Sequence, residues 1–372
     1  MTLALPGQPR AEVLLNAGLR DPAHAYLLHG PAGTGKRDAA RAFAAELLGC
    51  DVRRIVPGSH PDLAMIEPEG ESLLVDQVHE LSSALRYRPQ EAVRRVGIVD
   101  EADRLNRDAA NAFLKTLEEP PGDVVLILIA DDVQRVLPTV RSRCQPIAFP
   151  PLAAGAIAAR LVAAGVAADA ASAIGARARG DLAFARRLAA DAAVGEWIAG
   201  VERDVVALLT DGLAEDAAVQ RTYAGIKAVG EAVETEVEGV TAAQLERLEK
   251  LPTSRELDRE RRRIETSGKT TASRRRRRAE TDMMRAVIAT VQLVIRDVLC
   301  VQAAAPDRVA SGAAPAALAQ VAEHVTRARL ELALAGIDDV RRALGQPINV
   351  PLALAAVYAR VGAARRRAAV TA

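Results

Sequence analysis

The chain has 372 residues, room for two or three domains, and its 50% hydrophobic but only 2% aromatic composition means that alanine, leucine and valine build the core. With 49 basic against 48 acidic residues, total charge argues neither for nor against a nucleic-acid partner. Three distant cysteines, Cys50, Cys144 and Cys300, exclude a disulfide scaffold and a paired-cysteine metal site, and no apolar run reaches the roughly 18 residues of a membrane span.

In chain order, residues 11–20 predict a short amphipathic helix and Ala25–His29 an apolar strand. The strand runs into Gly30-Pro31-Ala32-Gly33-Thr34-Gly35-Lys36, and a helix follows over about 37–48. Strand, glycine loop and helix are the setting a phosphate-binding loop requires. Gly30, Gly33 and Gly35 let backbone N–H groups turn inward, Thr34 lies among them, the helix N-terminus adds partial positive charge, and Lys36 can reach the outer phosphates. ATP is the nucleotide such a loop would hold. One position departs: Arg37 stands where Ser or Thr would supply a hydroxyl to Mg²⁺, and an arginine cannot ligate a cation. The alternative is a loop kept for its shape after losing its chemistry.

Residues 50–62 read as irregular, Leu63–Ile66 as a strand and Val75–Leu85 as a helix. Val96–Val99 is a strand closing on Asp100 and Glu101, the shape of a Walker B element, in which the aspartate holds a metal and the glutamate polarises a water. The bland alternative is a strand ending in solvated acids. A helix over 106–119 stops at Pro120-Pro121, and Val124–Ala130 is a second buried strand, so 96–130 forms a βαβ unit. Arg141, Ser142 and Arg143 follow, and Ile147–Phe149 is a last short strand.

Beyond Pro150-Pro151 the chain reads as helical. Helices over about 153–191 predict a small three-helix domain. The charge-dense stretch 238–273 predicts a linker or an exposed helix, and the apolar spacing from Met284 to Leu299 predicts one buried helical face. Segments 314–334, 336–345 and 351–367 repeat that pattern. The arginine run Arg274–Arg278 has two readings. One is contact with DNA phosphates. The other, favoured because adjacent like charges repel and no aromatics interleave, is a solvated linker.

Several stretches together carry a resemblance: His24-Ala25-Tyr26-Leu27 leading into Gly30–Lys36, His60-Pro61-Asp62, Asp100-Glu101-Ala102-Asp103, Ala109 through Pro121, and Leu137 through Cys144. Over about residues 20–150 the chain resembles the delta-prime subunit family of the bacterial DNA polymerase III clamp loader, within the AAA+ group. The gamma/tau family shares much of the pattern. The resemblance implies an α/β AAA+ domain with a parallel sheet over 1–151, a helical lid over 152–195, and a helical collar over 196–372 with a polar linker at about 238–280. It implies assembly with gamma/tau and delta subunits, action on the sliding clamp and primer–template DNA, and no membrane contact. Arg143 takes the place of an arginine finger reaching a neighbour's ATP site, the alternative being a pair with Glu118 or Glu119 in its own chain. Asp100 and Glu101 take the place of a weak Walker B pair.

Two departures bear on chemistry. Many relatives hold zinc with four cysteines between the first helix and the His-Pro-Asp element, whereas only Cys50 stands there, so no zinc and no other metal is expected. The lid position where a sensor arginine would stand holds Ala183, with Arg179 and Arg186 nearby but out of alignment. The second departure, like Arg37 after the lysine, argues against autonomous ATP turnover. An active gamma/tau-type ATPase and a stand-alone nucleotide-binding regulator are the alternatives. Cysteine usage and the lack of a basic start followed by an apolar core lead us to expect a cytoplasmic protein without a signal peptide.

Overall fold

The computed structural model describes residues 2–55, 59–68, 72–120, 122–210, 214–249, 255–344 and 349–365. The chain divides into two compact units, Met1–Arg186 and Arg187–Ala372.

The first unit is built on five short parallel strands: β1 (Ala25–His29), β2 (Leu63–Ile66), β3 (Arg95–Val99), β4 (Val124–Ala130) and β5 (Gln145–Ala148), in the order β2-β3-β4-β1-β5. Strands buried on both faces read as continuous apolar runs, which is why β4, with all seven residues buried, was legible as a strand. Alternation then sends Tyr26, Leu28, Val125 and Ile127 to one face and Leu27, Leu126 and Leu128 to the other.

The first face is covered by α1 (Pro9–Arg20) and α2 (Lys36–Leu48), through Leu15 and Phe43. The second is covered by α4 (Val75–Leu85) and α5 (Arg107–Glu118), through Leu81, Leu85, Phe113 and Leu117. Burying a side chain such as Phe113 contributes about 1.5–3 kcal/mol. Between α2 and β2 lies a four-residue helical turn, α3 (Val52–Ile55), in a stretch expected to be irregular. Asn106 caps α5 by accepting the Ala109 N–H at 2.7 Å. A second short turn, α6 (Pro138–Arg141), precedes β5, which begins two residues earlier than expected.

Three helices complete the unit, α7 (Ala154–Ala163), α8 (Ala168–Arg177) and α9 (Leu182–Ala190). Three helices were expected over about 153–191, and three are present, with the boundary between the units at Arg186 falling within α9.

The second unit is all helical: α10 (Ala192–Thr210), α11 (Glu215–Glu249), α12 (Arg255–Gln302), α13 (Pro315–His324), α14 (Arg327–Ala343) and α15 (Val350–Arg365). Val287, Ile288, Val291, Val294, Ile295 and Val298 of α12 are fully buried, as the periodicity predicts. Gly336 lies inside α14 and does not break it. Buried Asp297 accepts the N–H groups of Ala310 and Ser311 at 2.9 and 2.7 Å, so its carboxylate is satisfied by the loop it fixes.

The described residues of the polar stretch are helical, which favours the exposed-helix alternative over the linker. Arg276 of α12 reaches Glu234 of α11 at 2.7 Å, Gly230 faces Glu280, and Gly268 faces Thr241, so the two helices run antiparallel. Within the arginine run Arg276 also bridges Glu280, one turn on, at 3.0 Å, which supports the helix there.

Candidate functional site

All five strands are parallel, so their C-terminal ends share one edge of the sheet, the edge where such folds place ligand-binding loops. Three polar segments leave that edge side by side: the glycine loop after β1, Asp100-Glu101 after β3, and Asp131 after β4. Gly33 and Gly35 adopt the left-handed conformation, with φ of 75° and 88°, that lets the loop wind back on itself.

Lys36 is buried to 4% exposure, and its ammonium donates to Gly30 O at 2.6 Å, Pro31 O at 2.7 Å and Asp131 Oδ1 at 2.9 Å. An ammonium has three N–H donors, and the loop and Asp131 take all three. Asp131 is the site residue that the sequence reading missed. Its signal was the same as for Asp100: an acid at the end of a fully buried strand.

Arg37 turns toward the acids. Its Nε donates to Asp100 Oδ2 at 2.5 Å and its Nη2 to Glu101 Oε1 at 2.9 Å. Burial opposes the Arg37 charge, but Asp100, Asp131 and Glu101 together outweigh it and hold the guanidinium above its ordinary pKa. Burial also pushes the Glu101 carboxyl up to about 7, against the pull of Arg104 and Arg37. Glu101 has a left-handed backbone, φ 55°, an uncommon and costly conformation for a non-glycine residue. Asp103 accepts the N–H groups of Asp131 and Asp132, both at 3.4 Å, which ties the β3 and β4 ends together.

These residues do not fit a divalent cation. The position after the lysine contributes a positive charge where a hydroxyl ligand would stand, and that charge already compensates both acids. Among the described residues no three His, Cys, Asp or Glu side chains form a metal-holding group.

The helical domain closes over the loop. Gly33 O accepts the Leu182 N–H at 2.8 Å, and Asp181, which caps α9 through the Phe184 N–H at 2.8 Å, lies where a Gly33 side chain would have to go. Arg186 pairs with Asp38 of α2 at 3.0 Å, and both partners are exposed. Asp181 was not singled out from the sequence.

Arg143 is elsewhere. It precedes β5, whose Gln145 pairs with Tyr26 and whose Ala148 pairs with His29. It therefore sits at the N-terminal edge of the sheet, while the glycine loop follows His29 at the C-terminal edge. At about 3.3 Å per residue the strand alone puts about 10 Å between them, with two more residues on the Arg143 side and Gly30 beyond on the other. The acids and Arg143 flank one βαβ unit but face opposite ways, so they do not form one site. Arg143 Nη2 meets Glu118 Oε1 at 2.5 Å, the alternative weighed from the sequence, and Nη1 donates to Thr139 O at 2.9 Å. The guanidinium nonetheless stays 34% exposed and its partner 49%, which leaves the pair open to solvent. The neighbouring Cys144 thiol is pushed up to about 12 by burial and is inert.

The His60-Pro61-Asp62 element is structural. Asp62 accepts the N–H groups of Gln90, Glu91 and Ala92 at 2.7–2.9 Å, and these bonds hold its carboxyl below the usual range despite burial.

A parallel five-stranded sheet, a glycine loop after its first strand, acids after the third and helices docked on the loop define an α/β module with a loop of the phosphate-binding type. More narrowly, residues 15–153 match the family described as DNA polymerase III, delta subunit. Over 149 residues the chain is 42% identical to the DNA polymerase III subunit delta′ of Pseudomonas aeruginosa, covering 36% of this chain and 45% of that protein. Over 167 residues it is 38% identical to the subunit delta′ of Bacillus subtilis, covering 41% and 51%. The subunit tau of Bacillus subtilis is 33% identical over 151 residues, 37% of this chain and 26% of that one. The matched segment is thus delta-prime-like, and the match spans about half the length of those delta′ relatives. No helix among the described residues is long and apolar enough to cross a membrane.

Proposed function

We propose that this chain is a delta-prime-type subunit of a clamp loader. It assembles with gamma/tau and delta subunits, helps to load the sliding clamp at primer–template DNA, and presents Arg143 to a neighbouring subunit's ATP. The observation that carries this reading is the placement of Arg143 just before the edge strand β5, at the sheet edge away from its own glycine loop. An exposed guanidinium there cannot serve its own loop but can serve a neighbour's. A planar cation matches the charge spread over the γ-phosphoryl oxygens in the transition state.

The chain's own loop is in this reading a rigid structural centre. Lys36 braces the loop, and Arg37 takes the charge-compensating part that Mg²⁺ plays elsewhere. Any nucleotide held there is bound without a metal and is not turned over. The test is ATP hydrolysis and clamp loading by the purified chain, alone and with gamma/tau and delta. Turnover only in the complex is expected; robust turnover by the isolated chain would show an active gamma/tau-type ATPase instead.

A further inference from the structure

We propose that the outer face of α12 is a docking surface for the phosphate backbone of duplex nucleic acid. It goes beyond the clamp-loader reading and does not depend on it, because it concerns the all-helical second unit and rests on the chemistry of one helix.

Residues 259–277 contain eight arginines and one lysine against two glutamates. The helical repeat sorts them. At about 100° per residue, Arg259, Arg262, Arg263, Thr266, Lys269, Thr270, Ser273 and Arg277 fall within about 120° of one another. All eight are exposed. Ala272 and Ala279, which lie on the far side, are buried. Glu260 and Glu265 fall to the two flanks, so no carboxylate lies within the face. Among its cations only Arg263 has an ion pair with a described residue, a 3.6 Å contact with Glu260. Arg276 borders the face on its Lys269 side and is spent on Glu234 and Glu280. The conspicuous five-arginine run is thus not itself the surface; of its members, Arg277 alone falls on the face.

The spacing fits a polyanion. The face runs about 27 Å along the helix at about 1.5 Å per residue, and its hydroxyls and guanidinia are the groups that contact phosphate. It holds no apolar residue, which argues against a membrane surface or a helix-in-groove protein partner. It holds no aromatic residue, which argues against single strands read by base stacking. The partner helix α11 exposes Glu231, Glu236, Glu238 and Glu246, so an anionic ligand is restricted to the α12 side.

The test uses the full chain, a fluorescein-labelled mixed-sequence duplex and anisotropy over a salt series. The variant is R259Q/R262Q/R263Q/K269Q/R277Q, with Arg329→Gln, a half-buried arginine of α14, as control. Each phosphate contact removed lowers the slope of log affinity against log salt by about 0.9, so the variant should lose a slope of about 4 and bind at least about tenfold more weakly at low salt. Arg329→Gln should bind as the wild type does. If the fivefold variant fails to fold by circular dichroism, R262Q/K269Q should lose a slope of about 2. Wild-type affinity and slope in the folded variants would overturn the proposal. So would competition by polyglutamate as strong as that by unlabelled duplex, since the face would then be a general acidic-protein site.

Discussion

Arg37 Nε lies 2.5 Å from Asp100 Oδ2, two residues 63 positions apart in sequence that the parallel sheet brings to one edge. The guanidinium reaches on to Glu101 at 2.9 Å, so one side chain compensates both acids of a motif that elsewhere holds a metal. An internal cation thus stands where a metal ligand would, as the proposed structural role of this cluster requires.

Arg37→Ala should destabilise the chain by about 1–3 kcal/mol, because Asp100 and Glu101 would lose their shared partner while largely buried. Urea denaturation measures this. Millimolar Mg²⁺ should restore part of the loss in the variant by binding beside Asp100, where the guanidinium charge was removed, and should leave the wild type unchanged. A wild-type midpoint that rises with Mg²⁺ would show that the cation site is open.

Glu101 gives the cluster a pH signature. Its carboxyl is pushed up to about 7 in the folded chain from an ordinary value near 4.5, so folding favours its protonated form. That contribution is full below about pH 4.5 and is lost as pH rises through about 7. Glu101→Gln should abolish this decline and gain about 1–3 kcal/mol over the wild type at pH 8, with no gain at pH 4. Parallel stability–pH curves for the two proteins would refute the assignment.

Gly33→Ala tests the docking of the helical domain on the loop. Alanine disfavours a φ of 75°, and its methyl group would run into the Asp181 carboxylate. A loss of about 1–3 kcal/mol is expected. Hydrogen exchange should quicken at the Leu182 amide, which now bonds Gly33 O. Unchanged protection there would mean that the contact contributes little.

The strands and most helices of the first unit were legible in the sequence because burial on both faces leaves apolar runs bracketed by polar residues, as at Ala25–His29 and Val124–Ala130. The glycine loop and the acids were legible as motifs. What those motifs do to one another was not: the Arg37–Asp100 pair and the Lys36–Asp131 pair exist only once the strands have an order, and periodicity carries no information about strand order. The α11–α12 pair was obscured for another reason. Its interface is formed by small residues such as Gly268 and Gly230 and by ion pairs such as Glu234–Arg276, so its apolar period is faint and charge density left linker and exposed helix both open. The contact of Arg143 with Glu118 was among the alternatives that the sequence left open, and only the exposure of both partners shows how weakly it holds the arginine.

Removing that partner should therefore matter little. Glu118→Ala is expected to change the stability of the chain by less than about 1 kcal/mol, as for other solvent-exposed pairs. It should leave ATP turnover by a reconstituted complex intact, because the arginine it releases is still present. A collapse of turnover with Glu118→Ala would mean that Glu118, rather than Arg143, carries the function of this surface.

The most direct measurement is ATP turnover and clamp loading by a complex of this chain with gamma/tau and delta subunits, compared between wild type and Arg143→Ala. The expected result is an assembled complex in which the ATP site facing this subunit is slowed by about 10³-fold or more, with clamp loading falling accordingly. An assembled Arg143→Ala complex that hydrolyses ATP and loads clamps at the wild-type rate would contradict the assignment of Arg143 as a group acting in trans.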